Sequence, residues 1–172
     1  RKSFDFNTVK EFAKNMAWYK MNNFHLHLSD NLIFLEDYPT MQDAIDNAYA
    51  GFRLESEIPN LTSEDTYYTK EEFRSFIKDS RNMGVNIIPE FDMPAHALAI
   101  TRAFPNLMTK EAGGNHSYLI EELDIRKDGA LDAAKSVWAQ YFKGDDPVFD
   151  KDTTVHIGTD EFHGNGGNEY FR

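Results

Sequence analysis

Apolar residues recur near the start of the chain at Val9, Phe12, Ala13, Met16 and Ala17, a spacing that lays one stripe along an α-helix. Asn7 is the expected cap, and the asparagines at 22 and 23 mark the expected end. The period then changes. From Phe24 to Leu28 the pattern alternates, with Phe24, Leu26 and Leu28 on one face and His25 and His27 on the other, as in a strand with one polar side. That strand is expected to end at Ser29, Asp30 and Asn31. No period holds between Leu32 and Thr66, which predicts a long, partly ordered loop with a short helix somewhere within Tyr38 to Ala50.

Order returns at Thr69, which forms a capping-box pattern with Glu72 and is followed by Phe73, Phe76 and Ile77 and a stop at Gly84. Val85 to Phe91 is an apolar run suited to a buried parallel strand, closed by Asp92 to His96. A short helix is expected over Ala97 to Phe104, and a longer one over Ala130 to Phe142, with Leu131, Ala134, Val137, Trp138 and Tyr141 facing inward. Thr153 to Gly158 is the last strand. Helices alternating with short buried strands predict βαβ units in an α/β fold with a parallel sheet. The polar residues fall at the strand C-termini, the edge on which such sheets build their sites.

Composition narrows the class of partner. Twenty-nine acidic against eighteen basic residues give a net charge of -11, which repels phosphate backbones and anionic lipid, so neither nucleic acid nor membrane is an expected partner. The chain has no cysteine, which excludes disulfides, thiol catalysis and thiolate metal sites. No apolar run reaches membrane-spanning length, and membrane insertion is not expected.

Four polar clusters flank these elements: Arg1 at the start, Asp30 after the first strand, Asp92 with His96 after the second, and Asp160 with Glu161 after the third. Taken singly, each has an ordinary structural explanation, since acidic residues at strand ends commonly cap the next helix and paired histidines commonly pack and hydrogen-bond. Parallel neighbouring strands would bring the last three clusters to one rim.

The strings themselves are recognisable. Arg1 with KSFDFNTVKEFAKNMAWYKMNNFHLHLSDN, then FRLESEIPNLTSEDTYYTKEEF over Phe52 to Phe73, GVNIIPEFDMPAHA over Gly84 to Ala97, and VHIGTDEF over Val155 to Phe162 resemble the catalytic-domain motifs of family 20 glycoside hydrolases, in the family's order. These are the β-N-acetylhexosaminidases and their lacto-N-biosidase relatives. The sequence departs from the family pattern at Asn31, where a second acidic residue is more usual, and at Ala95 and Thr159, where glycine is more usual. Leu32 to Gly51 resembles an insertion after the strand, on the aglycone side.

The resemblance implies a partial (β/α)8 TIM barrel, parallel strands with flanking helices. Residues 1–172 are then a single partial catalytic domain, the N-terminal half of the barrel, without its first strand and last four units. It also implies substrate-assisted retaining hydrolysis that releases a terminal N-acetylhexosamine or a disaccharide containing it. In that scheme Glu161 is the acid and base, and Asp160 steadies the acetamido group. His96 tunes the acid, Asp30 supports His96, and Arg1 grips the sugar hydroxyls. Adjacent strand residues point to opposite faces, so Asp160 and Glu161 serve one sugar only if the chain bends out of the sheet, which Gly158 permits.

The implied partner is an oligosaccharide or glycoconjugate, with no cofactor and no metal, and the implied location is extracellular or on a bacterial cell surface. A complete barrel needs about 250 residues, so residues 1–172 alone are expected to be inactive and to self-associate through exposed half-barrel edges. Two other readings remain. One is a metal-dependent barrel hydrolase in which His25 and His27, sharing a strand face, combine with His96 and Asp160. The other is a non-catalytic carbohydrate-binding fragment.

Overall fold

The computed structural model describes residues 3–109 and 118–162. Its first helix, α1 (Phe6–Trp18), is capped by Asp5, whose carboxylate accepts the Thr8 N–H at 3.0 Å, and not by Asn7. Val9 and Ala13 face the core, while Phe12 stays half-exposed and meets Phe4 and Phe24 edge-on.

Strand β1 (Asn23–His27) follows, and its residues pair in parallel with β4 (Asn86–Glu90) in a register that sets His27 opposite Glu90. Helix α3 (Lys70–Asn82) joins the two halves of this unit. It carries the reciprocal Thr69–Glu72 capping box and stops at Gly84, whose φ of +84° suits glycine.

The expected third strand is reduced to a single parallel bridge between Glu90 and His156. The His156 N–H donates to the Pro89 carbonyl at 2.9 Å, and the Phe91 N–H reaches the His156 carbonyl at 3.4 Å. On β4 the residue that faces this neighbour is Pro89, which has no N–H to continue the ladder toward residue 154, and a proline in a central strand shortens pairing in this way.

The stretch expected to be a loop is an organised excursion. The chain passes from β1 through Leu28 into β2 (Ser29–Leu32), which pairs antiparallel with β3 (Tyr49–Phe52) and aligns Asp30 with Gly51. A 3-10 turn at Leu35–Asp37 and helix α2 (Met41–Asn47), capped by Thr40, fill the interval. Ala44 and Ala48 form a small second core there with Leu98, Met108 and Ile120, which ties the excursion to α4 (Leu98–Ala103). A short helix absent from the expectation, α5 (Tyr118–Glu121), precedes α6 (Ala130–Ala139). The buried face of α6 is Ala130, Ala133 and Val137. Leu131, expected inward, is 66% exposed. The main core is aromatic: Phe91 packs against Phe52, Trp138 and Tyr141 with ring centroids 4.5, 4.7 and 5.4 Å away.

Candidate active site

The parallel register places a carboxylate under two imidazoles. His25 and His27 project from the same face of β1, and the Glu90 Oε2 of β4 lies 2.9 Å from His25 Nε2 and 2.9 Å from His27 Nδ1. From the other side, His156 Nδ1 lies 2.6 Å from Glu90 Oε1. Burial pushes the Glu90 carboxyl up, but the His27 hydrogen bond and the His25 and His27 charges outweigh it and leave the group below its usual range. Sequence reasoning missed Glu90. Its one local signal was an acidic residue directly after the apolar run Ile87 to Pro89 and before the apolar Phe91, a position where an unpaired charge is not tolerated.

Past the strand ends the polar groups form a second tier. Asp92 is buried, its N–H donating to Ser29 Oγ at 2.8 Å, and its Oδ2 lies 3.5 Å from His27 Nε2. Burial pushes the Asp92 carboxyl up to about 7. The His27 and His96 charges pull it down, and those of Glu90 and Asp160 push it up. His27 Nε2 is also 3.5 Å from Asp30 Oδ2, and that hydrogen bond, opposed by burial and aided by Glu90, raises the His27 imidazole to about 9.

Asp30 Oδ1 accepts the Asn31 N–H at 2.7 Å and lies 3.5 Å from His96 Nδ1, while His96 Nε2 lies 2.7 Å from Glu161 Oε2. The chain bends at Gly158, with φ of +50°, and runs on outside any strand, so Asp160 and Glu161 both bring a carboxylate oxygen into one group with the His96 ring. His96 and Glu161 themselves have φ of +53° and +54°. Left-handed backbone at two non-glycine residues in contact concentrates strain at this rim.

The structure therefore brings Asp30, His96, Asp160 and Glu161 together, while Arg1 lies outside the described residues. Among the described residues, His25, His27, His96 and Asp160 do not gather as one metal-donor set: His25 groups with Glu90 and His156, His27 with Glu90 and Asp92, and His96 with Asp160 and Glu161. Asn31 also has a use for its amide. Its Oδ1 accepts the Leu98 N–H at 3.1 Å and its Nδ2 donates to the Glu121 carboxylate, a partner that an acidic residue there would repel.

The sequence model of the catalytic domain of glycosyl hydrolase family 20 matches residues 1–169. The chain belongs to glycosyl hydrolase family 20. This family 20 chain is 32% identical over 100 residues to a beta-hexosaminidase of Akkermansia muciniphila, covering 56% of this chain and 19% of the relative. It is 34% identical over 109 residues to a beta-hexosaminidase of Vibrio furnissii, covering 60% and 18%. Among solved structures, the chitobiase of Flavobacterium johnsoniae superposes with a TM-score of 0.63 at 28% identity, over 96% of this chain and 24% of that one. The described residues of the family 20 chain are part of the TIM-barrel fold of these relatives, and the chain spans a minor share of their length.

Proposed function

We propose that this chain carries the acid–base side of the active site of a glycosidase that releases terminal N-acetylhexosamine, with the sugar's own acetamido oxygen as nucleophile. The observation that supports it is the 2.7 Å contact between His96 Nε2 and Glu161 Oε2, with Asp160 turned toward the same ring. A carboxyl that must first give a proton to the departing glycosidic oxygen, and then take one from water, needs a neighbour that tolerates both states. An imidazole does this: its Nε2 accepts from the protonated acid or donates to the carboxylate, and the Asp30 carboxylate, 3.5 Å from the opposite nitrogen, favours the charged ring.

In this reading Asp160 stays ionised, accepts the acetamido N–H and steadies the positive charge of the oxazolinium intermediate. Arg1 holds the ring hydroxyls through its forked donors. Residues 1–172 alone turn over little, because among the described residues the wall consists of β1, β4 and the segment of His156, which leave much of an eight-stranded ring unbuilt.

The test is hydrolysis of 4-nitrophenyl N-acetyl-β-D-glucosaminide by the full-length gene product. Glu161→Gln should lower kcat by about 10²–10⁴, and the matching 2-hydroxy glucoside should not be cleaved. Exhaustive chelation should leave the rate unchanged. Equal turnover of the two glycosides would defeat substrate assistance, and loss of activity on chelation, restored by a metal, would favour the metal-dependent reading.

A further inference from the structure

His27 sits between three carboxylates, and the geometry restricts its protonation. Its Nδ1 is 2.9 Å from Glu90 Oε2, and its Nε2 is 3.5 Å from both Asp30 Oδ2 and Asp92 Oδ2. A neutral imidazole has one N–H, so once Asp92 has lost its proton, above about pH 7, whichever nitrogen lacked it would aim a lone pair at a carboxylate. Only the imidazolium donates at both ends. The groups that face it are Glu90 and Asp92 from the end of β4 and Asp30 from β2, and His25 and His156 meet it only through Glu90. Arg53 lines the same groove, but its guanidinium is taken by Asp65, the Thr66 carbonyl and the Tyr49 hydroxyl.

Asp30 faces two imidazoles at ion-pair distance, its Oδ2 3.5 Å from His27 Nε2 and its Oδ1 3.5 Å from His96 Nδ1, which makes no hydrogen bond among the described residues; the far nitrogen of His96 meets Glu161 at 2.7 Å. The result is one chain of contacts, Glu90 to His27 to Asp30 to His96 to Glu161, which runs from the barrel interior to the rim. We infer that His27 is a positioning residue for the acid–base group, its imidazolium joining Glu90 to Asp30 so that Asp30 stays ionised and holds His96 against Glu161. This rests on the hydrolase reading given above. Without that charge, the Asp30, Asp92 and Glu90 carboxylates lose the cation they share, which favours protonation of Asp30 and weakens its attraction for the His96 ring. His25 makes the same kind of contact to Glu90 but none to Asp30, so it separates a structural role from a positioning one.

The experiment has two arms on the full-length protein. In the first, ¹⁵N-histidine NMR of the wild type, with His27 assigned through the backbone, should show both ring nitrogens protonated at pH 7.5 and a titration above pH 8. In the second, the acid limb of the kcat/KM profile should move up by about one pH unit or more in His27→Gln and stay in place in His25→Gln. A catalytically active wild type whose His27 is neutral at pH 7.5 would overturn the inference, even if His27→Gln failed to fold. So would an active His27→Gln with an unmoved limb, or an equal displacement in both variants. Absence of turnover in the wild type would instead defeat the hydrolase reading, which separates the two failures.

Discussion

Gly158 is the point at which the last parallel segment leaves the barrel wall, and replacing it with alanine tests whether the bend is built into the packing. A Cβ there would stand 1.8 Å from Asp92 Oδ1, 2.6 Å from Asp92 Cγ and 3.0 Å from Glu90 Oε1. Glu90 is held by His25, His27 and His156, and Asp92, whose clashing Oδ1 makes no hydrogen bond among the described residues, is buried with its other oxygen beside His27, so turning it away gives up that contact. Two costs add. The left-handed backbone, φ +50°, costs an alanine about 1–2 kcal/mol, and forcing a methyl group into filled space costs about 1–3 kcal/mol more.

Gly84→Ala is the internal control, since Gly84 has φ of +84° but nothing within 4 Å of its Cβ position, so only the backbone cost of about 1–2 kcal/mol applies. Urea unfolding of both variants reads the difference directly, provided the slope m is unchanged. A shift of Asp92 would also displace the residues that follow Gly158, and a misplacement of about 1 Å at the acid costs on the order of 10²-fold in kcat. Unfolding free energies for Gly158→Ala and Gly84→Ala that agree within about 0.5 kcal/mol, together with full activity, would refute the steric argument.

Thr69→Ala removes the hydroxyl that accepts the Glu72 N–H and donates to the Glu72 carboxylate, while the Thr69 backbone N–H keeps its bond to that carboxylate; it should destabilise by about 1 kcal/mol in urea unfolding, with Thr69→Ser recovering most of it. The buried Asp92 binds its proton more readily in the folded state, about 7 against 3.8, so this group makes stability fall as pH climbs through that interval and level off above it. His27, raised to about 9 from 6.5, contributes stability that is fully present below the lower value and lost as pH rises through the upper one. Asp92→Asn should therefore flatten the urea midpoint between about pH 4 and 7 relative to wild type and leave the later fall in place. Parallel curves for the two proteins over the first interval would show that the Asp92 proton is not linked to folding.

Much of this molecule was legible as spacing. The helical stripe of Val9 and Ala13, the Thr69–Glu72 cap, the stop at Gly84 and the alternation that sets His25 and His27 on one face are set by residues within a turn or two of each other. Local geometry alone selects them. The motifs around Asp30, His96, Asp160 and Glu161 were also readable, because their types and order are local strings. What the string does not contain is register between distant segments. His27 and Glu90 are 63 positions apart, and only the parallel pairing of β1 with β4 brings a carboxylate under both imidazoles.

The same holds for the hairpin of β2 and β3, which no period announced because its strands are four residues each and separated by a helix. It holds too for the last strand, whose own residues look regular and whose pairing is cut short by a proline in its neighbour. By itself the sequence determined which segments coil, which extend and which residues carry charge. Tertiary structure decided which charges meet, because a buried carboxylate keeps its charge only where packing delivers its donors, and that delivery depends on the whole chain at once.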